Sequence, residues 1–238
     1  MSYKNVCEHN NPQTLTKPEN TVCQIRRICK LLRSLLFMQH CAIIRGKGSD
    51  TSVKAWQHFV TITKHHFLVM DGCFRVGLYW QGITHDLSKY SPTEFWNGAR
   101  YYQGTRSPNT AEREEKGFSE AWMHHKGRNR HHYEYWTDMN RQTKQYESVP
   151  MPRKYLVEMV MDRRAACKTY QGKNYTPASA FIYFDKSVEK NLMHPRTRQE
   201  LSYLLEMLRD RGEKETFRYM RKSVLKGKPF PWETEENV

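Results

Sequence analysis

Residues 51–77 read TSVKAWQHFVTITKHHFLVMDGCFRVG, and their spacing decides the fold class. Val53, Trp56, Val60, Phe67, Met70 and Phe74 recur at the period that lines one face of an α-helix, and Gly77 is placed to end it. Downstream, Ser91-Pro92-Thr93-Glu94 is a capping box with proline in the first turn, which predicts a helix running to about Gly104. Beyond a loop at Arg106 to Asn109, a further helix ends at Gly127, and Pro152 opens one that carries Tyr155, Met159 and Asp162. Thr176-Pro177, Pro195 and Gly212 punctuate three more. Alternating strand patterns are almost absent, so the chain is expected to be all-α, a helical bundle with a C-terminal helical extension.

The 238 residues suffice for one sizeable domain with its own core. Residues 1–50 change in character, from a polar stretch through a basic-apolar segment (Ile25 to Ile44) to Gly46-Lys47-Gly48-Ser49-Asp50. They read as a variable extension with one amphipathic helix, residues 51–225 as the helical domain and 226–238 as a flexible tail. The six cysteines include no Cys-x-x-Cys pair, which argues against a zinc ribbon or a disulfide framework and fits reduced thiols in a cytoplasm. Leu31 to Ile44 is interrupted by Arg33, Gln39 and His40, so neither a membrane span nor a signal peptide is expected. The net charge of +14 favours anionic partners, a small anionic substrate first. Because basic and acidic residues alternate, as in Arg209-Asp210-Arg211-Gly212-Glu213-Lys214-Glu215, a dedicated nucleic-acid groove is the less favoured expectation.

The chemistry concentrates in Thr84-His85-Asp86-Leu87-Ser88-Lys89, where an adjacent imidazole and carboxylate can reach one divalent metal. His65 or His66 lies one helix upstream, His124, His125, His131 and His132 form a knot downstream, and Asp162 follows in a later helix. A mixture of imidazole and carboxylate suits zinc, manganese, iron or cobalt better than calcium or magnesium. On a helical wheel His66 lies nearer the centre of the apolar arc and His65 at its edge, so periodicity leaves both open. Glu158 shares a face with Asp162, one turn earlier, and is read as an ion-pair partner of a neighbouring Arg or Lys.

The order His, His-Asp, Asp across successive helices resembles the HD-domain superfamily of metal-dependent phosphohydrolases. His85-Asp86-Leu87-Ser88-Lys89 is similar to the His-Asp-x-x-Lys run of its HD-GYP phosphodiesterase branch. The likeness is closer to an uncharacterised family of HD-like proteins in bacteria and phages. Its pieces are matched by His65 with Leu68-Val69, by the His85 run with Ser91-Pro92-Thr93-Glu94-Phe95, by Ala121-Trp122 with His125, Arg128, Asn129, His131 and His132, and by Met151-Pro152 with Tyr155, Glu158, Met159 and Asp162. It covers roughly residues 55 to 225. The resemblance implies His65 as the first ligand. The chain lacks a Gly-Tyr-Pro element, which speaks against cyclic-dinucleotide cleavage.

On this reading His65, His85, Asp86 and Asp162 hold one metal, and Asp86 bridges to a second held by His125 and His132. One or two divalent transition-metal ions would then acidify water for attack on a phosphate ester, a nucleotide first among candidates. Lys89 is expected to meet a phosphate oxygen, Arg128 and Asn129 to orient the substrate, and His131 to protonate the leaving oxygen or steady a ligand. Two rivals stand beside it. The His/Asp set also resembles the di-iron inositol-oxygenase branch, and a metal-stabilised module that binds RNA or a protein is the non-enzymatic alternative.

Overall fold

The computed structural model describes residues 50–235 of the chain. The N-terminal extension and the helix expected within Ile25 to Ile44 lie outside the described residues, Asp50 apart. The elements run α1 (Asp50–Val76), α2 (Tyr79–Thr84), a 3-10 turn (Leu87–Tyr90), α3 (Pro92–Arg100), α4 (Pro108–Lys116), α5 (Glu120–Lys126), α6 (Arg153–Gln171), α7 (Ser179–Lys186), α8 (Pro195–Lys222) and α9 (Pro231–Glu235). Between α5 and α6, the three-residue strands β1 (Thr137–Met139) and β2 (Tyr146–Ser148) pair antiparallel, Thr137 opposite Ser148 and Met139 opposite Tyr146. The fold is all-α, and this exposed hairpin is its only sheet among the described residues. No described helix is long and apolar enough to cross a membrane.

Helix α6 forms the centre of the core. Leu156, Val157, Met159, Val160, Met161 and Ala165 are buried along it, so it is covered on most of its circumference. It packs against α1, which supplies Val69, Cys73 and Val76, and against α8, which supplies Leu201, Leu204, Leu205 and Leu208. Removing these side chains from water is the main stabilising term. The segment read as a tail from residue 226 onward contributes to the same core: Phe230 is fully buried, and Arg153 of α6 donates to the Lys228 carbonyl and to Glu233.

Helix α3 begins as its sequence predicts, with Pro92 in the first turn and Ser91 Oγ accepting from the Glu94 N–H. It ends at Arg100, one turn before the expected Gly104, because Tyr101 leaves the helical conformation and its hydroxyl donates to Glu115 on α4. Where α3 crosses α1, Gly98 makes the contact possible. A Cβ there would fall inside the imidazole of His58, so only glycine lets that ring lie against the α3 backbone.

Helix α8 is interrupted at Gly212 (φ 71°, ψ 177°), a conformation that L side chains rarely adopt. The break turns Glu213 toward α6 and α1, where it accepts from Arg164 (2.7 and 2.8 Å) and Arg75 (3.0 Å) and pairs with Lys168 at 2.6 Å. Although burial opposes it, these cations hold the Glu213 carboxyl far below the usual carboxylate range. A carboxyl with a lowered folded pKa stabilises above its unfolded value and loses that contribution as pH falls toward the folded value. Glu213→Gln is therefore expected to cost about 2 kcal/mol at neutral pH, less than for a fully buried pair. In thermal unfolding, the gap between wild type and variant should close between pH 5 and pH 2. A gap that is constant with pH would show that the charge of Glu213 contributes nothing.

Candidate metal centre

Three parts of the chain deliver the ligands. His65 projects from the middle of α1, Asp162 from the middle of α6, and His85-Asp86 from the joint between α2 and the 3-10 turn. Asp86 adopts a left-handed backbone (φ 55°, ψ 22°), a region where Asp is better tolerated than most residues, and this turns its carboxylate inward. His125 lies in the last turn of α5, and His131 and His132 follow in the loop that Gly127 begins. Their positions on separate elements of one packed bundle, rather than on a single loop, hold the group rigidly.

Asp86 is the pivot. Its Oδ2 lies 3.2 Å from His85 Nε2 and 3.6 Å from His65 Nε2, and its Oδ1 lies 3.2 Å from His125 Nε2 and 3.3 Å from His131 Nε2. Asp162 closes the first group, with Oδ1 at 2.9 Å from His65 Nε2 and 3.7 Å from His85 Nε2. Among the described residues three sets of potential ligand atoms are each gathered within 4.8 Å: a first of His65, His85, Asp86 and Asp162, a second of Asp86, His125, His131 and His132, and a third of His85, His131 and Glu158, in which Glu158 meets the Nδ1 side of the rings; the first two are the candidate ligand groups. Ligand atoms about 2.1 Å from a shared ion stand about 3 to 3.5 Å apart, and the separations from His65, His85, His125 and His131 to the two aspartates given above, 2.9 to 3.7 Å, lie close to that range.

The hydrogen-bond pattern explains why these atoms converge. Glu158 Oε1 accepts from His85 Nδ1 (3.0 Å) and stands 3.3 Å from His131 Nδ1, while Glu94 accepts from His125 Nδ1 (2.8 Å) and His124 Nδ1 (2.6 Å). A carboxylate only accepts, so each Nδ1 bonded to one carries the proton and leaves the Nε2 lone pair free. The Nε2 atoms of His65, His85, His131 and His132 and both Asp86 oxygens are buried without an aligned hydrogen bond. Lys89 Nζ lies 2.6 Å from Asp86 Oδ2 and Asp162 Oδ1 lies 2.9 Å from His65 Nε2, but among the described residues the other atoms have no such close partner; an unsatisfied buried polar atom costs about 1–3 kcal/mol, and their convergence fits a cation that they would share.

In spite of burial, Asp86 first among the neighbouring carboxylates raises the pKa of His85 and of His125, so an ion held there would displace protons from these rings. Against the opposing effect of burial, His85, Lys89 and His125 hold the Asp86 carboxyl well below its ordinary pKa, and His65 and His85 do the same for Asp162. Glu158 and Glu94 are lowered too, again against burial, by the histidines that donate to them. These carboxylates are ionised at neutral pH and give the site a negative field. For His132, burial and then the neighbouring His131 and His125 hold the pKa well below normal, so the ring is neutral, as a ligand must be.

The structure brings His65, His85, Asp86, His125, His132 and Asp162 together, and places His131 among them with its Nε2 toward Asp86. His66 faces elsewhere, donating from Nδ1 to the His85 carbonyl at 2.8 Å and so fixing the backbone of the His-Asp pair. Lys89 sits 2.6 Å from Asp86 Oδ2 and lines the adjoining cavity. Asn129 donates to Ser88 Oγ and to the His125 carbonyl, both at 2.8 Å, and thereby braces the ligand loop instead of facing the cavity. Arg128 is exposed, with its guanidinium on the His124 carbonyl, and does not line the cavity either.

The two carboxylates behind the histidines had other sequence readings. Glu94 is the acidic member of a capping box, but Ser91 N–H is satisfied by the Ser88 carbonyl, which frees the Glu94 side chain for the histidines. The expected ion pairing of Glu158 with a neighbouring base is corrected by the structure. Arg163 is held by Glu189 and Arg164 by Glu213, so Glu158 faces His85 and His131. Its spacing of one turn from Asp162 was the available signal.

A cavity of about 590 Å³ opens onto His65, Lys89, His125, His132 and Asp162, large enough for a small organic ligand. A family model described as a family of unknown function (DUF5662) matches residues 54–207. No curated protein matches the chain. No solved structure matches it either.

Proposed function

This chain belongs to that family of unknown function, so its chemistry must be read from its own site, and we propose that it is a metal-dependent phosphohydrolase of HD type acting on a phosphate ester, with a nucleotide as the preferred candidate. The observation that carries the proposal is the position of Asp86, one oxygen in each of two ligand groups, beside a cavity with an ammonium group in its wall. His65, His85, Asp86 and Asp162 would hold one divalent ion, and Asp86, His125, His131 and His132 a second. When bound, such ions supply Lewis acidity toward a phosphoryl oxygen and make a nucleophile available at neutral pH.

The chain's own residues supply the rest. Lys89 stays charged, because Asp86 and Asp162 raise its pKa in spite of burial, and it can meet a second anionic oxygen from the cavity side. Glu158 and Glu94 keep the imidazoles in the tautomer and orientation that ligation needs. The burial of His65, His85, Asp86, His125 and His131 lowers the local dielectric and strengthens these interactions. Arg128 and Asn129, expected from the sequence to orient substrate, are replaced in that role by Lys89 and the cavity wall.

The test is a panel of nucleoside monophosphates, cyclic nucleotides and dinucleotides, assayed with manganese or cobalt for phosphate release or diester opening. Turnover of any member supports the proposal, and a fully metal-loaded protein inert across the panel overturns it. The nitrogen-rich donor set, with five histidines and two aspartates, also suits redox iron, so a second reading is a di-iron oxygenase. An oxygen electrode run alongside separates the two: metal-dependent oxygen uptake without hydrolysis selects the oxygenase.

A further inference from the structure

His58 lies on α1 seven residues before His65, outside both ligand groups. His58, Thr61, Ile62 and His65 all line the cavity, a single stripe along two turns of the helix. The cavity therefore follows α1 from the metal ligands for about 10 Å, at 1.5 Å of rise per residue. The His58 ring forms part of the wall two turns along α1 from His65. The side chain is only 6 % exposed, stands against Gly98 in a gap no other residue would leave, and is flanked by the rings of Phe95 and Tyr102.

Among the described residues, none hydrogen-bonds this imidazole at Nδ1, which is buried. Midway along the stripe, Thr61 Oγ1 and Tyr102 OH share a hydrogen bond of 2.8 Å and offer further hydroxyl contacts. Burial, with the charge of Lys89 adding to it, lowers the His58 pKa to about 4, so at neutral pH the ring is an uncharged donor and acceptor. Such a group suits an uncharged polar partner and disfavours a second anionic one, whose desolvation it could not offset.

We infer that His58 is a specificity-determining residue that binds an uncharged hydrogen-bonding group of the substrate, at a point of the cavity wall about 10 Å along α1 from His65. The inference rests on the phosphate-ester reading of the site, and it names the substrate class as a phosphate ester of an elongated polar alcohol, such as a nucleoside or a sugar. A bare or short-chain phosphate would reach Lys89 and the metal ligands and leave His58 untouched.

The experiment measures equilibrium binding to manganese-loaded full-length protein by calorimetry, with inorganic phosphate and the non-hydrolysable phosphonate analogues of glucose 6-phosphate and the four common nucleoside 5′-monophosphates as probes. At least one analogue should bind wild type about tenfold more tightly than inorganic phosphate. His58→Phe, which keeps the ring packing and removes both nitrogens, should erase that advantage and leave phosphate affinity within about twofold. His58→Gln, which restores a donor and an acceptor, should recover part of it. Metal content and far-UV circular dichroism of each variant confirm that the fold and the ligand groups are intact. The inference is overturned if no analogue exceeds inorganic phosphate in wild type, if His58→Phe keeps the advantage, or if phosphate affinity falls in parallel. Selective binding as expected, without hydrolysis of the parent esters by wild type, would instead count against the phosphohydrolase reading alone.

Discussion

Asp86→Asn should leave a folded protein that has lost both metal ions at once. The purified wild type is expected to carry between one and two equivalents of a transition metal, and among the described residues Asp86 is the one that belongs to both of these ligand groups. Removing its charge takes an anionic oxygen from each, where the remaining ligands are mostly neutral imidazoles. The loss in affinity should exceed the 10- to 100-fold typical of residues that only support a ligand. Asparagine is the better probe than alanine because residue 86 sits in the left-handed region, which Asp and Asn tolerate better than Ala through local hydrogen bonds of their short polar side chains. Asp86→Ala should therefore lose the metal and some stability together, while Asp86→Asn separates the two effects. The measurement is elemental analysis of protein purified without added metal or a metal-leaching tag. Hydrolysis, where wild type shows it, should fall to background in both variants and in His85→Ala. Full metal occupancy in Asp86→Asn would remove the basis for the two-ion site.

Much of this arrangement was readable from residue order because it depends on local rules. The period of Val53 to Phe74, the Ser91-Pro92 start and the Gly127 stop act within a few residues, and α1, α3 and α5 form as those signals require. His85-Asp86 was visible for the same reason, as two ligand types adjacent in sequence. The wheel placed His66, not His65, nearer the apolar centre. The structure gathers His65 with His85, Asp86 and Asp162 and gives His66 the backbone carbonyl of residue 85 to hold. That choice depends on where α6 and α2 lie around α1, which no single helix encodes.

The carboxylates behind the histidines were hidden for a related reason. Glu158 and Glu94 lie 73 and 31 residues from the histidines they face, His85 and His125, and each had a plausible local partner. Local explanations win when only sequence neighbours are visible, yet here Arg163 and Arg164 are drawn away by Glu189 and Glu213 from distant parts of the chain. The hairpin at 137–148 was missed on different grounds. Its strands are three residues each and largely exposed, too short to show an alternating face.

The two supporting carboxylates should separate the two ions experimentally. Glu94 bonds His125, a member of only the second group, whereas Glu158 contacts both His85 in the first group and His131 in the second. Glu94→Gln is thus expected to weaken one ion by about 10- to 100-fold and leave the other near wild-type affinity, while Glu158→Gln should weaken both. The substitutions are nearly isosteric, so packing changes little. What they remove is the acceptor that keeps each Nδ1 protonated and its Nε2 turned toward the metal; the amide can accept at one atom only and presents donors at the other. Chelator competition followed by elemental analysis should show one tight and one weak equivalent in Glu94→Gln, and no tight equivalent in Glu158→Gln. Because Glu158 was read from the sequence as a surface-type ion pair, its removal would on that reading have left the metal untouched, and the outcome distinguishes the two accounts directly. If Glu94→Gln instead loses both ions, the groups are coupled too strongly to count as separate sites. If Glu158→Gln keeps both at full affinity, the contacts to His85 and His131 do not govern ligation.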